Sequence, residues 1–406
     1  MKKIYFILPL LIVSTAMAQS PVPPGAKLEK LATGFLQVEG PVWYDGPGLK
    51  GAQDSSLLFS DIAGDKIYQY SPATGKATPF LSPSDSSNGM TFDQEGRLVF
   101  CQMWFRRVVR MNLDGTITPL ASTFRGVKFN SPNDVVVKSD GAIFFTDPPF
   151  NIPVGQKQEL PFSGIYRISS SGAVQLLDST LAYPNGICFS PDESKLYVND
   201  SYALTIYVWS VAGDSILEPK RVFATMKGPP FSGVADGMKV DPAGNVYSAG
   251  PLGVWVFDKS GNVLDTILVP ETTSNLNWGD ADRKTLYITA SKSLYRIRLA
   301  KTTGIKKVGN NLNGPTFKLY PNYPNPFNPT TRIDYRLAIN SNVTLKVFDT
   351  LGRNVSTLVD GRENAGVHSV TFDGGTLPSG VYFCKMDAIG NDGQEFVSTK
   401  KLVIMK

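Results

Sequence analysis

Six times along the chain an oxygen-bearing side chain stands four residues ahead of the same apolar position in a short strand-like run. The runs read Glu39-Gly-Pro-Val-Trp43, Asn88-Gly-Met-Thr-Phe92, Asn133-Asp-Val-Val-Val137, Asn185-Gly-Ile-Cys-Phe189, Asp236-Gly-Met-Lys-Val240 and, in weaker form, Ser274-Asn-Leu-Asn-Trp278. Each is followed by a turn rich in Asp, Gly and Pro and a second strand, as in Asp93-Gln-Glu-Gly-Arg-Leu-Val-Phe100. A third strand then ends on an aromatic or basic residue, as in Lys66-Ile-Tyr-Gln-Tyr70. Six units of about forty to fifty residues with this strand content match the period of propeller blades and not of helical solenoids. The expected architecture is all-β, a six-bladed propeller over residues 30–301. The first repeat alone carries a longer insertion, Asp45 to Ser56, before its second strand.

If each run is the innermost strand of a blade, the six marked positions fall at equivalent places around one axis and their oxygens converge. Two carboxylates and several amide oxygens, without imidazole or thiolate, form a donor set that a hard divalent cation selects. Ca²⁺ is the expected ion, and Mg²⁺, Mn²⁺, Zn²⁺ and Fe²⁺ are alternatives that tolerate the same donors. Asn-Gly and Asp-Gly before a strand are also ordinary turn chemistry. Turn chemistry, however, does not call for Glu39 ahead of Gly-Pro.

A chain of 406 residues exceeds what one core usually serves, so at least two units are expected. The net charge of +5 is small and not gathered into runs, which argues against a nucleic-acid partner. At the N-terminus Lys2 and Lys3, the apolar stretch Ile4 to Val13, and Ala16-Met17-Ala18 read as a secretory signal over residues 1–18. Gln19 stands where a lipoprotein would need cysteine. No later stretch is long enough for a membrane span, so the mature chain is expected to be exported without a transmembrane segment. Cys101, Cys188 and Cys384 are an odd set, and the first two sit in strand patterns as buried thiols, with a disulfide the lesser alternative. The only histidine, His368, lies beyond the repeats and removes a Ser/His/Asp triad or a His-ligated zinc from the repeat region.

Residues 302–316 are rich in Gly, Asn and Lys and read as a linker. Tyr320-Pro-Asn-Tyr-Pro-Asn-Pro-Phe-Asn-Pro329 then opens a second module. Strands are expected from Thr331 to Leu337, Asn342 to Asp349, Gly366 to Phe372, Gly380 to Met386 and Phe396 to Ile404, forming a small immunoglobulin-like β-sandwich over residues 317–406.

Glu39-Gly-Pro-Val-Trp43, Asn130-Ser-Pro-Asn-Asp-Val-Val-Val137, Phe145-Thr-Asp-Pro-Pro149, Tyr183-Pro-Asn-Gly186 with Ser190-Pro-Asp192, and Ala235-Asp-Gly-Met238 resemble the gluconolactonase family, which includes senescence marker protein and luciferin-regenerating enzyme. The resemblance implies a six-bladed propeller that opens sugar lactones with one divalent ion, held at the positions of Glu39, Asn133, Asn185 and Asp236. Relatives with a Cys-Gln/Glu-His-Gly sequence carry histidine where this chain has Met103. That change implies a more apolar pocket with Met103 and Trp104 at its rim.

In the expected chemistry the ion polarises the ester carbonyl. Asp236 is the expected base toward the attacking water, and Asn88 and Asn130 are candidate partners for substrate hydroxyls. The competing reading is a non-catalytic propeller that uses the ion as a staple while binding a glycan or protein at the cell surface. Hydrolysis of another ester, such as a phosphotriester, is a third. The Pro-rich opening, Val347-Phe-Asp-Thr-Leu-Gly-Arg353, Leu377-Pro-Ser-Gly-Val-Tyr382 and Lys401-Leu-Val-Ile-Met-Lys406 resemble the C-terminal sorting domain of the type IX secretion system. That resemblance implies the secretion machinery as partner and release or attachment at the cell surface.

Overall fold

The second strands of the repeats, such as Ser56–Asp61 and Ile143–Asp147, are buried along their whole length. They read as almost continuous apolar runs and not as alternation, which is the pattern of a sheet covered on both faces. The neighbouring sheets supply that cover. In the computed structural model, which describes residues 20–299 except 47 and 214, and 317–406 except 321 and 392, these strands belong to six four-stranded antiparallel sheets. The expected signal segment (1–18) and linker (302–316) lie outside the described residues.

The innermost strands are Val38–Tyr44, Ser87–Phe92, Val135–Val137, Pro184–Phe189, Met238–Val240 and Thr273–Gly279. Each touches the next, and the last touches the first, so the sheets close a ring as blades of a propeller. Closure has a covalent logic: Glu29–Thr33, from the start of the described chain, is the outermost strand of the last blade, paired with Ser293–Arg298.

Aromatic pairs cement the blade interfaces. Trp43 of the first blade stacks on Tyr287 of the last at 5.5 Å, Phe144 meets Phe189 edge-on at 5.0 Å, and Tyr247 meets Trp278 at 4.9 Å. Such pairs contribute about 0.5–1.5 kcal/mol each beyond their buried area. Cys101, Cys188 and Cys384 are free and buried.

The C-terminal module is two sheets, one of Lys318–Leu319, Thr330–Leu337 and Gly366–Asp373, the other of Asn354–Glu363, Ser341–Phe348, Gly380–Gly390 and Glu395–Ile404. Its core lies between them and includes Leu345, Cys384, Met386 and Leu402. The strand Asn354–Glu363 is absent from the sequence-based expectation. It is an edge strand with no fully buried residue.

Among the described residues no helix is long and apolar enough to cross a membrane.

Candidate functional site

The marked residues stand where the regular pairing of their inner strands is interrupted. Register shifts fall between Glu39 and Val42, between Ser87 and Met90 around Asn88, between Pro184 and Ile187 around Asn185, and between Thr273 and Asn275 around Ser274. Asn133 and Asp236 lie just ahead of strands that begin at Val135 and Met238. An irregularity of this kind re-aims a side chain out of the pleat.

Two sets of side chains on the second strands hold that geometry. Ser60 Oγ donates to the Asn88 carbonyl at 2.8 Å, Thr146 Oγ1 to that of Asn185 at 2.7 Å, and Asn199 Nδ2 to that of Asp236 at 2.5 Å. Each bond reaches from one blade to the next. The residue following each of these donors is an aspartate that grips the loop before its own inner strand. Asp61 accepts from Leu36 N and Gln37 N, Asp147 from Asn130 N and Ser131 N, and Asp200 from Ala182 N and Tyr183 N, at 2.7–3.1 Å for the closest oxygen. In every case the two amides lie three and two residues ahead of Glu39, Asn133 or Asn185. Burial pushes Asp147 up to about 7, against the pull of the two amides and of Arg106.

Ser274 is used differently. Its Oγ bonds the Val38 carbonyl at 2.7 Å and Thr289 Oγ1 at 2.9 Å, stitching the last blade to the first. The next residue, Asn275, reaches inward, and its Nδ2 donates to Glu39 Oε2 at 3.0 Å. Asn275 fills the place where four other repeats carry glycine. A Cβ on Gly237, beside it, would collide with the Asn275 amide.

Glu39, Asn88, Asn133 and Asn185 are buried, whereas Asp236 keeps partial exposure. Burial and then the charge of Asp134 push Glu39 up to about 7, opposed by bonds from Gly40 N and Asn275. Desolvation and the charges of Glu39 and Asp134 push Asp236 well above the usual carboxylate range, with Asn185 acting the other way. Burial also raises Asp134, which the sequence reading did not select, and Lys239 supplies an opposing positive charge. Three carboxylates thus share one field.

Asn88 Oδ1 and Asn185 Oδ1 are buried acceptors with no partner. Unsatisfied buried acceptors beside clustered carboxylates fit a cation, which would neutralise the one and satisfy the other. Among the described residues no three His, Cys, Asp or Glu side chains form a metal cluster by themselves, so any ion here must draw on the asparagine oxygens.

The remaining candidates lie around this group. Met103 is buried with its Sδ 3.4 Å from Asn88 Nδ2, and Trp104 is 54% exposed. Asn130 spends its amide hydrogens on the carbonyls of Asp147 at 3.0 Å and Phe162 at 2.8 Å, leaving Oδ1 without a partner. Asp134 and Asn275 could have been found from the repeat alignment, since they are the two residues that replace its glycine.

Residues 38–292 match the family model described as the SMP-30/gluconolactonase/LRE-like region, and residues 321–405 match the secretion system C-terminal sorting domain. A gluconolactonase of Zymomonas mobilis is 29% identical over 68% of this chain and 82% of its own length. A pentonolactonase of Haloferax volcanii is 27% identical over 62% of this chain and 81% of its own. The solved structure of a gluconolactonase from Xanthomonas campestris superposes with a TM-score of 0.61 at 31% identity, covering 68% of this chain and 90% of that one.

Proposed function

The chain belongs to the SMP-30/gluconolactonase/LRE-like family, and from that premise we propose that it is an ion-dependent hydrolase that opens the ester ring of a sugar lactone outside the cell. The observation that carries this reading is the grouping of Glu39, Asp134 and Asp236 in one field beside the unpartnered oxygens of Asn88 and Asn185. Curated relatives named for lactone hydrolysis support the substrate class.

Glu39, Asn133, Asn185 and Asp236 would hold the ion; their hard oxygen donors suit Ca²⁺, the expected ion, and equally admit Mg²⁺ or Mn²⁺. When bound, the ion supplies a Lewis acid that stabilises negative charge on the lactone carbonyl oxygen. Asp236, the one ligand with solvent access, takes the proton as water adds to the carbonyl carbon, and returns it to the ring oxygen as the ester C–O bond breaks. Asn88 is the partner for a substrate hydroxyl and the exposed Trp104 the apolar rim, whereas Asn130 and Met103, expected in the same roles, are fully enclosed and act from behind the site. The sorting domain takes the protein through the type IX machinery to the surface or the medium, after the signal segment has carried it into the export route.

Proton release from a panel of aldonolactones, with and without chelator, tests the proposal. Release that depends on added cation is expected. Stoichiometric cation binding without turnover of any lactone would leave the non-catalytic reading in its place.

A further inference from the structure

The insertion in the first repeat, Asp45 to Ser56, has no counterpart in the other blades and takes no part in the candidate ion site. In the second blade the same turn runs only from Asp93 to Arg97. The insertion is nevertheless firmly built. Leu49 is buried and its N–H donates to Tyr44 Oη at 2.8 Å, Lys50 N donates to the Leu113 carbonyl of the second blade at 2.9 Å, and Gln53 N donates to Gln69 Oε1 at 2.7 Å.

What this shelf holds is the C-terminal module. The Asp45 carboxylate receives Arg283 Nη2 from the last blade at 2.6 Å, Arg336 Nη1 of the module at 2.9 Å, and Arg336 Nη2. A two-pronged Arg–carboxylate contact fixes orientation as well as charge, and Arg336 is buried. Gly48 has a φ of +75°, and a Cβ there would collide with the Arg332 guanidinium. Asp54 feels Asp334 and Arg332 of the module as well as its own burial. Between the two domains lies a cavity of about 660 Å³, walled by Trp43, Phe92 and Trp278 on the propeller side and by Phe317, Leu319 and Phe396 on the module side. All six inner strands contribute to it with the ends that point away from Glu39 and its neighbours.

We propose that the 45–56 insertion is a docking shelf for residues 317–406, so that in the full chain the C-terminal module is held over the mouth of the propeller opposite the candidate ion site. The partner is defined by its chemistry, a pair of arginines on Thr330–Leu337 that meet an anionic lip, backed by apolar residues at the mouth. The inference does not depend on the proposed activity. It accounts for an insertion found in one blade and for the two arginines on one aspartate.

Small-angle scattering and calorimetry of the full-length protein test it. Wild type is expected to be compact and to unfold in one transition. Arg336→Glu, which sets two carboxylates face to face, is expected to increase the radius of gyration and split off a second transition. Arg332→Glu, at a half-exposed side chain of the module beside Asp54, is expected to do the same to a smaller degree, because it adds a third carboxylate to Asp54 and Asp334 without burying a new charge. Unchanged far-UV circular dichroism distinguishes undocking from unfolding. If Arg332→Glu and a folded Arg336→Glu both keep the wild-type radius and a single transition, the shelf is not a dock.

Discussion

Asn275 Nδ2 lies 3.0 Å from Glu39 Oε2, so the last blade orients a carboxylate of the first at the point where the ring closes. Glu39 Oε2 also accepts from Gly40 N at 2.6 Å, which engages one oxygen of the carboxylate twice. Partners of this kind set the orientation of a metal ligand, and their loss typically lowers metal affinity about 10–100-fold. Asn275→Ala is therefore expected to weaken Ca²⁺ binding by about that factor, read by calorimetric titration. An affinity equal to wild type would show that Glu39 needs no support from the closing blade.

Asp236→Asn removes one of three clustered carboxylates while keeping the side-chain shape. In the absence of cation it is expected to raise the melting temperature, because less negative charge is confined with Glu39 and Asp134. With cation present it is expected to abolish lactone opening, by at least about 10²-fold if proton transfer and ligation are both lost. Retained full activity would remove Asp236 from the reaction.

The same field makes stability depend on pH. The folded value for Glu39 is about 7, against 4.5 without the surrounding protein. Between those values the folded protein holds a proton that the unfolded chain has released, so ion-free protein loses stability as the pH rises through that window. A bound cation replaces the proton and stabilises the native state by mass action, more strongly as the carboxylates ionise. Thermal melts in chelator are expected to fall from pH 5 to pH 8, and the gap between melts with and without Ca²⁺ to widen. Coincident melts at pH 8 would count against an ion at this site.

Much of this was legible in the sequence because the repeat aligns six side chains without reference to coordinates. The inner and second strands follow from that alignment. The closing strand Glu29–Thr33 was not legible. It is a half-exposed edge whose partner lies more than two hundred residues away, so neither alternation nor spacing marks it. Asn354–Glu363 was missed for a related reason, since an edge strand with few buried side chains has little hydrophobic period. The aspartates that grip the loops were visible in the text as the pairs Ser60-Asp61, Thr146-Asp147 and Asn199-Asp200. Their meaning depends on which backbone amides the fold brings to them.

Asp200 gives the sharpest test of those grips. Its carboxylate accepts from Ala182 N at 2.9 Å, Tyr183 N at 3.0 Å and Ala203 N at 3.2 Å, and it is buried. The loop it holds carries Tyr183, which stacks on Phe150 at 5.5 Å and meets Tyr202 at 4.6 Å, and leads directly to Asn185. Asp200→Ala leaves these amides without an acceptor and is expected to cost on the order of 3 kcal/mol, measured by denaturant unfolding. It is also expected to weaken cation binding, because Asn185 follows the released segment. Asp93 caps a turn at the opposite end of the ring through Glu95 N at 3.0 Å and Arg97 N at 2.9 Å. Asp93→Ala should therefore lower stability while leaving cation affinity at the wild-type value. Equal losses of affinity in the two variants would mean that the grip acts only through global stability, and the assignment of Asp200 to the site would fall.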